Sequence, residues 1–202
     1  MKPFNYILIT ILIAVALLAF SWLVFRRLFR DGVGPTGKWD DEGGIPNSPY
    51  PGGADLTFSQ APFSMRHFGI EEFDSPDLIG SGVNMKVRFL QMIDEAREIA
   101  GIAFKVNSGY RTVAHNKNEG GVKNSAHLVG FAADIKATTL EQKIKIVRAA
   151  RSVGFNRFGI YNTFIHLDCD PSKSSGVAWN KKMQVEKKGG DFSDFPFDPF
   201  TI

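Results

Sequence analysis

Three side chains that can bind a metal ion lie close together in the second half of the sequence. His127 and Asp134 are separated by six residues, and His166 lies in the segment FIHLD. Two imidazoles and a carboxylate suit zinc, and three protein ligands rather than four are typical of a catalytic site, whose open position takes water or substrate. The sequence therefore predicts a catalytic metal site formed by these three residues.

Predicted strands over 131–136 and 163–169 explain how these residues could meet. Alternate side chains of a strand share a face, so His166 and Asp168 lie on one face, and antiparallel pairing could place Asp134 beside His166. A carboxylate and an imidazole are costly to bury unless something pairs them, and a metal ion satisfies both. Taken singly, each residue would be interpreted as part of a hydrogen bond or salt bridge in the core.

The remaining pattern predicts a small α+β domain with helices packed on an antiparallel sheet. Apolar residues at helical spacing predict a helix from Asn84 to Ala100. A second helix begins at Thr139, with Gln142 at capping-box spacing, and ends at Gly154.

An uncharged, apolar run over 6–25 precedes this domain and is long enough to span a bilayer as a helix. A cleaved signal peptide is the alternative, but the run is long for one and no small-residue cleavage site follows it. We therefore predict a transmembrane anchor over 1–30, with the lipid bilayer as its partner.

Three further segments complete the predicted organisation. A linker rich in glycine and proline covers 31–60, and the folded domain covers 61–181. In the tail, 182–202, Phe alternates with Asp and Pro, which favours disorder. A short aromatic motif that binds a protein partner is the alternative interpretation of the tail.

Charge and cysteine content exclude some classes of function. The net charge of +3 comes without a basic stripe, which argues against a nucleic-acid partner. Cys169 is the only cysteine, so an internal disulfide and a cysteine-based zinc cluster are excluded. It is expected to be a small core residue.

Residues 65–179 resemble the zinc D-alanyl-D-alanine carboxypeptidase family of peptidoglycan peptidases, in particular the peptidase domains of bacterial and phage cell-wall enzymes. The pattern SxHxxGxAxD followed by HxD carries the resemblance, and it is specific because it rarely arises by chance in this order. The matching segments are HFGIEEFDSPD (67–77), SGYR (108–111), HN (115–116), GGVKNSAHLVGFAADI (120–135) and FIHLD (164–168).

The resemblance implies a fold like that of hedgehog domains and D-Ala-D-Ala peptidases. It implies that the ligands of Zn²⁺ are His127, Asp134 and His166. It also implies that Arg111 grips or polarises a substrate carbonyl or carboxylate, a role that suits a planar, always charged guanidinium. Ser125 matches a serine that contacts substrate in related dipeptidases.

The general base is the point at which this sequence departs from several relatives. They carry an acidic or histidine base three residues before the last zinc ligand, where this chain has Thr163. Asp168 is the expected substitute, although it could instead orient a histidine. His115 and Glu119 are further candidates for the base.

We therefore expect a membrane-anchored zinc peptidase, of carboxypeptidase or endopeptidase type, that hydrolyses peptide bonds of peptidoglycan stems or cross-links. One alternative is a catalytically inactive peptidoglycan-binding module on the same scaffold. Another is a virion membrane protein that carries a wall-degrading domain, as in phage lysis.

The expected location conflicts with the charges that flank the apolar run. Arg26, Arg27 and Arg30 follow it and Lys2 precedes it, so the positive-inside rule favours a cytoplasmic domain. A wall peptidase has its substrate outside the cytoplasm, and we therefore expect a periplasmic or extracellular domain, or one in a virion membrane.

Overall fold

The computed structural model describes residues 56–180 and 196–200. The predicted anchor, linker residues 31–55 and most of the predicted tail lie outside these residues. Among the residues that are described, none of the helices is both long and apolar enough to cross a bilayer.

The described residues form an α+β domain, as predicted, around one five-stranded sheet. The α-helices are α1 (Val87–Ala100), α2 (Val113–Asn118) and α3 (Leu140–Ser152). The strands are β1 (Val106–Ser108), β2 (Ala132–Lys136), β3 (Arg157–Ile160), β4 (Phe164–Asp168) and β5 (Val177–Trp179). Short 3₁₀ helices cover Ile70–Phe73, Ser81–Asn84 and Ala126–Val129.

The sheet is mixed, which corrects the predicted antiparallel sheet. Its strand order is β1-β2-β4-β3-β5, and β5 pairs with β3 in parallel while the other pairs are antiparallel. The connection from β4 to β5 is short, because the two residues that it joins lie on either side of the same residue of β3. Asp168, at the end of β4, and Val177, at the start of β5, both pair with Arg157. The sequence analysis missed β5, a strand of three residues that shows no clear alternation.

The second predicted helix begins as expected. The hydroxyl of Thr139 accepts a hydrogen bond from the backbone N–H of Gln142, and the Gln142 side chain accepts one from the Thr139 N–H, both at 3.2 Å. This reciprocal pair satisfies backbone donors that the first turn of a helix leaves free.

The first helix begins later than predicted. Asn84 ends the 3₁₀ helix Ser81–Asn84, and its side chain donates to the Ser81 carbonyl at 2.9 Å, so it does not cap α1. The helix ends as predicted at Gly101, whose φ of +61° is the left-handed conformation that glycine adopts without strain.

A short helix, α2, precedes the 3₁₀ helix Ala126–Val129 and was not predicted. The hydroxyl of Thr112 accepts a hydrogen bond from the backbone N–H of His115 at 3.0 Å and so caps its first turn. The helix has only six residues, too few to show an apolar face. The one sequence signal for it is Thr112, a residue type that often caps helices.

The hydrophobic core lies between the helices and one face of the sheet. α1 and α3 pack against each other, and α3 packs against β4. Ile135, Ile165 and Leu167 contribute the sheet's share of the core, and each is fully buried. Cys169 belongs to the same cluster, which fits its predicted role.

Two segments outside the predicted domain pack against this core. Phe58, from the predicted linker, touches the core, and its backbone N–H donates to the Met85 carbonyl at 2.8 Å. Phe197 and Phe200 of the tail also pack against it, and the Phe200 ring lies 5.9 Å from that of Phe158. Within residues 196–200 of the predicted tail, the phenylalanines therefore pack against the core of the same chain.

Gly130 allows two chain segments to approach closely, and its replacement should be costly. Its φ is +78°, and a Cβ would overlap the Asn84 carbonyl oxygen and lie 2.9 Å from the Met85 Cα. Gly130→Ala should therefore lower the free energy of unfolding by about 2–5 kcal/mol, the sum of left-handed strain and overpacking. Urea unfolding of a fragment covering 56–202 measures this.

Gly120 provides the matched control for this prediction. Its φ is +69°, but a Cβ there meets no atom within 4 Å, so Gly120→Ala should cost only the conformational strain of about 1–2 kcal/mol. Equal losses in the two variants would contradict the packing argument.

Candidate metal site

The register of the sheet places the candidate residues in one row. Asp134 on β2 pairs with His166 on β4, as predicted, and Ser108 on β1 pairs with Asp134. On the other side, Gly159 on β3 pairs with both His166 and Trp179. Because directly paired residues share a face of a sheet, this row of five residues crosses all five strands.

Three donor atoms converge above this row. The His166 Nδ1 lies 2.8 Å from the Asp134 Oδ1 and 3.1 Å from the His127 Nε2. The His127 Nε2 lies 3.4 Å from the same carboxylate oxygen. The structure thus brings together the three residues that the sequence singled out as a metal site.

His127 reaches the site from the 3₁₀ helix Ala126–Val129 and is 2% exposed. Its Nδ1 is 2.6 Å from the Gly109 carbonyl oxygen and donates a hydrogen bond to it. Because a backbone carbonyl can only accept, this bond assigns the proton to Nδ1. The Nε2 lone pair is then directed at the Asp134 Oδ1 and the His166 Nδ1.

Gly109 is itself fixed by the segment that carries the HFGIEEFDSPD motif. The backbone N–H of Tyr110 donates to the Phe73 carbonyl at 2.9 Å, and a Cβ on Gly109 would overlap the Phe73 backbone. The close approach explains why a glycine precedes the tyrosine of SGYR, and it fixes the carbonyl that orients His127.

His166 is oriented from behind by Asp168. The His166 Nε2 lies 3.5 Å from the Asp168 Oδ2, so its two ring nitrogens face different carboxylates. Asp168 is 2% exposed, and both of its oxygens lie 3.0 Å from the Arg157 Nε. The Asp168 carboxylate therefore lies behind the imidazole and not among the converging donors.

The donor set fits a small divalent metal ion. Two imidazole nitrogens and one carboxylate oxygen match the ligands of catalytic zinc sites. A tetrahedral site with bonds of about 2.0–2.1 Å separates neighbouring ligand atoms by about 3.3 Å, and the three separations here are 2.8, 3.1 and 3.4 Å. The residues present therefore suit the metal that the sequence analysis expected.

The charges in this cluster shift the pKa values in opposite directions. Burial lowers the pKa of His127. Burial would raise the pKa of Asp134, but the two adjacent histidines hold it well below its usual range. Burial would lower the pKa of His166, yet hydrogen bonds to Asp134 and Asp168 raise it to about 9. At neutral pH His166 therefore carries a proton that a metal ion would have to displace.

Arg111 lies beside the metal ligands and has a structural partner. Its Nη2 donates to the Asp134 Oδ2 at 2.6 Å, and its Nε donates to the Ser108 hydroxyl at 2.7 Å. A guanidinium has five N–H donors in a rigid fork, so these bonds leave the Nη1 amino group for another acceptor. Arg111 thus holds Asp134 in place and can still meet a substrate at the site.

Ser125 has a local structural role. Its hydroxyl accepts a hydrogen bond from the backbone N–H of His127 at 3.4 Å and so caps the 3₁₀ helix that carries this ligand. Ser125 is 9% exposed. Its predicted contact with substrate stays a prediction.

The remaining candidates lie outside the converging donors. His115 and Glu119 lie on or beside α2, which contacts the 3₁₀ helix of His127. Thr163 is exposed in the turn between β3 and β4. His67 pairs with Glu98 at 2.5 Å and so links the segment before the first 3₁₀ helix to α1.

A cluster of three aromatic side chains, which was not predicted, meets His166 through Trp179. The Trp179 ring lies 5.3 Å from the His166 ring between centroids, and its Nε1 donates to the Tyr161 hydroxyl at 3.0 Å. The Tyr161 ring stacks on Phe164 at 4.4 Å. We call Tyr161, Phe164 and Trp179 the aromatic wall. The available signal was Gly159, a glycine within a buried strand, which often marks a close approach.

Comparison with known proteins identifies a family for this chain. The family model described as Peptidase M15 matches residues 66–168, just over half of the chain. None of the curated proteins matches the chain. The matched region contains all three converging donors and ends at Asp168, so Trp179 lies beyond it.

The raised pKa of His166 should make the metal-free protein less stable at alkaline pH. The folded-state pKa of about 9 lies above the ordinary histidine value of 6.5, so the contribution is complete below pH 6.5 and is lost as pH rises through about 9. His127, whose pKa is lowered, is neutral in the folded state over this range, and its unfolded form becomes neutral above pH 6.5. Urea unfolding in chelator should therefore give a free energy that falls from pH 6.5 to 9.

Asp168→Asn tests the cause of this pH dependence. The substitution removes one of the two carboxylates that raise the pKa of His166, so the free energy of unfolding should fall less over the same pH interval. The slopes are compared rather than the absolute values, because the variant also leaves Arg157 without its partner. An identical slope in the two proteins would contradict the role assigned to Asp168.

Proposed function

Because the chain belongs to the Peptidase M15 family, we propose that it is a zinc-dependent peptidase that hydrolyses peptide bonds in the stems or cross-links of peptidoglycan. The observation that carries the proposal is the convergence of His127, Asp134 and His166, whose donor atoms all lie within 4.8 Å of one another. The family supports a metal-dependent peptidase. The peptidoglycan substrate and zinc are our extension, supported by the SxHxxGxAxD and HxD motifs.

The ligands of the metal in this proposal are His127, Asp134 and His166. When bound, zinc supplies Lewis acidity that activates water and polarises a carbonyl group. The chain's own contribution is to hold the three donors in place: the Gly109 carbonyl fixes His127, Arg111 fixes Asp134, and Asp168 fixes His166. Such outer partners set the orientation of metal ligands.

Arg111 has a second role in the proposal. The Nη1 amino group that remains after its bonds to Asp134 and Ser108 donates to a carbonyl or terminal carboxylate of the peptide. A fixed cation beside the reacting carbonyl stabilises the negative charge that develops on its oxygen during hydrolysis.

Asp168 is assigned the orienting role rather than that of general base. A base has to reach the water whose proton it accepts, whereas the Asp168 oxygens are committed to Arg157 and the outer nitrogen of His166. These contacts support the orienting role over that of general base. His115 and Glu119 remain candidates for the base because α2 contacts the 3₁₀ helix of His127.

A catalytically inactive peptidoglycan-binding module is the second candidate function. Thr163 occupies the position at which several relatives carry the base, and it cannot titrate near neutral pH. The same metal-binding scaffold would then hold the peptide without cleaving it.

We propose that the chain is anchored by residues 6–25 with the domain outside the cytoplasm. The substrate supports this placement, and the flanking arginines oppose it only as a bias that long domains can override. Protease treatment of intact spheroplasts that express the full chain should digest the domain. Protection until lysis would favour a cytoplasmic domain, released by another factor or carried in a virion membrane.

Digestion of purified sacculi tests the proposed activity. The zinc-loaded chain should release muropeptides whose masses, measured by mass spectrometry, identify the bond that is cut. His127→Ala should abolish release because it removes a ligand. Arg111→Lys should retain zinc but lose most of the activity, since a point charge does not replace the fork. Unchanged muropeptides with fully loaded protein would contradict the peptidase and leave the binding module.

A further inference from the structure

We propose that Tyr161 contacts the substrate, and that its hydroxyl donates a hydrogen bond to a backbone carbonyl of the peptide bound beside His166. The inference rests on the proposed peptidase function and extends it by assigning a substrate contact outside the sequence motifs. Tyr161 lies in the turn after β3, between the two strands that carry Gly159 and His166.

The row across the sheet gives the site two different ends. At the β1 end, Ser108 holds Arg111 beside Asp134. At the β5 end, Trp179 holds Tyr161 beside His166. A peptide lying over the donor atoms across the strands would therefore meet a guanidinium on one side and a phenol on the other.

The missing side chain of Gly159 allows Tyr161 to reach the site. A Cβ on Gly159 would lie 2.8 Å from the Tyr161 Cε2 and 2.9 Å from both the His166 Cβ and the Trp179 Nε1. These three groups thus surround the one small space that the missing side chain leaves. A larger residue at Gly159 would force the aromatic wall away from His166.

The hydrogen bond from Trp179 leaves the Tyr161 proton available. Since the Tyr161 oxygen accepts this bond at 3.0 Å, its own O–H remains as a donor. Within residues 56–180 and 196–200, no protein group accepts that proton. The half-buried hydroxyl can donate it to water, and a peptide at the metal site would offer a carbonyl oxygen in place of that water.

The aromatic wall holds Tyr161 rigidly. Its ring stacks on Phe164 with an interplanar angle of 17°, and the Trp179 ring that bonds it lies 5.4 Å from the Arg157 guanidinium. Arg157 is also the partner of Asp168. The same buried arginine therefore supports both the orientation of His166 and the tryptophan that fixes Tyr161, so the donor is preorganised.

The electrostatic surroundings keep the hydroxyl protonated. Burial raises the pKa of Tyr161, the hydrogen bond from Trp179 lowers it, the charge of Asp134 raises it and that of Arg111 lowers it, with a net increase. A phenol with a raised pKa donates at neutral pH and does not act as a base.

Tyr161→Phe in the full-length, zinc-loaded chain tests the proposal, because it removes the hydroxyl and keeps the stacked ring. We expect zinc stoichiometry to be unchanged and kcat/KM on isolated muropeptides to fall about 10- to 100-fold, from the loss of an ordinary hydrogen bond up to the low end of the loss of a donor to a reacting carbonyl. A fall in kcat would place the bond in the transition state, and a rise in KM alone would place it in substrate binding. Calorimetry with a synthetic stem pentapeptide gives Kd as an independent readout.

Tyr50→Phe, in the predicted linker, is the matched control. It makes the same chemical change and should leave kcat/KM within about twofold of the wild type, as expected for a substitution away from the site.

The wild-type protein reports on the proposed function, and the ratio of Tyr161→Phe to wild type reports on the inference. Equal kcat/KM and equal Kd in the two proteins would overturn the contact, as would loss of zinc from Tyr161→Phe, which would make the residue structural. If the wild type binds the pentapeptide without cleaving muropeptides, weaker binding by Tyr161→Phe supports the contact and equal binding overturns it. If the wild type neither cleaves nor binds, the proposed function fails and the inference fails with it.

Discussion

The carboxylate of Asp134 is the constraint on which the site depends. It is 6% exposed, and a buried carboxylate is costly unless charges and donors surround it. Arg111 satisfies one oxygen at 2.6 Å, and His127 and His166 approach the other at 3.4 and 2.8 Å. The two histidines therefore lie with one nitrogen each beside the same carboxylate oxygen. A metal ion bound there would take the place of the proton on the His166 Nδ1.

The sheet turns this local requirement into a site because its register places one residue from each strand in a single row. Asp134 and His166 occupy the middle of the row, and Ser108 and Trp179 occupy its ends. Two residues further along the same face of the sheet, Arg157 and Asp168 are also cross-strand partners and form a buried ion pair. Removing one member of such a pair leaves an uncompensated buried charge, so the support for His166 is coupled to the stability of the sheet.

Sequence patterns predicted the parts of this arrangement that depend on local chemistry. Alternation on two strands placed Asp134 beside His166, and the capping box at Thr139 located the start of α3. The sequence did not predict contacts that form only when distant segments meet. These are the parallel pairing of β5, the ion pair of Arg157 with Asp168, and the close approach of Trp179 to Gly159. Asp168 was placed on the correct face, but its commitment to Arg157 could not be inferred because Arg157 carries no motif.

The most direct test of the account is the position of the metal itself. Crystals of the zinc-loaded protein, measured at the zinc absorption edge, should show one anomalous peak per chain bonded to the His127 Nε2, an Asp134 oxygen and the His166 Nδ1. The Asp168 carboxylate should lie on the far side of the imidazole, outside bonding distance. A peak at another group of side chains, or one in which Asp168 replaces Asp134 as a ligand, would contradict the site described here.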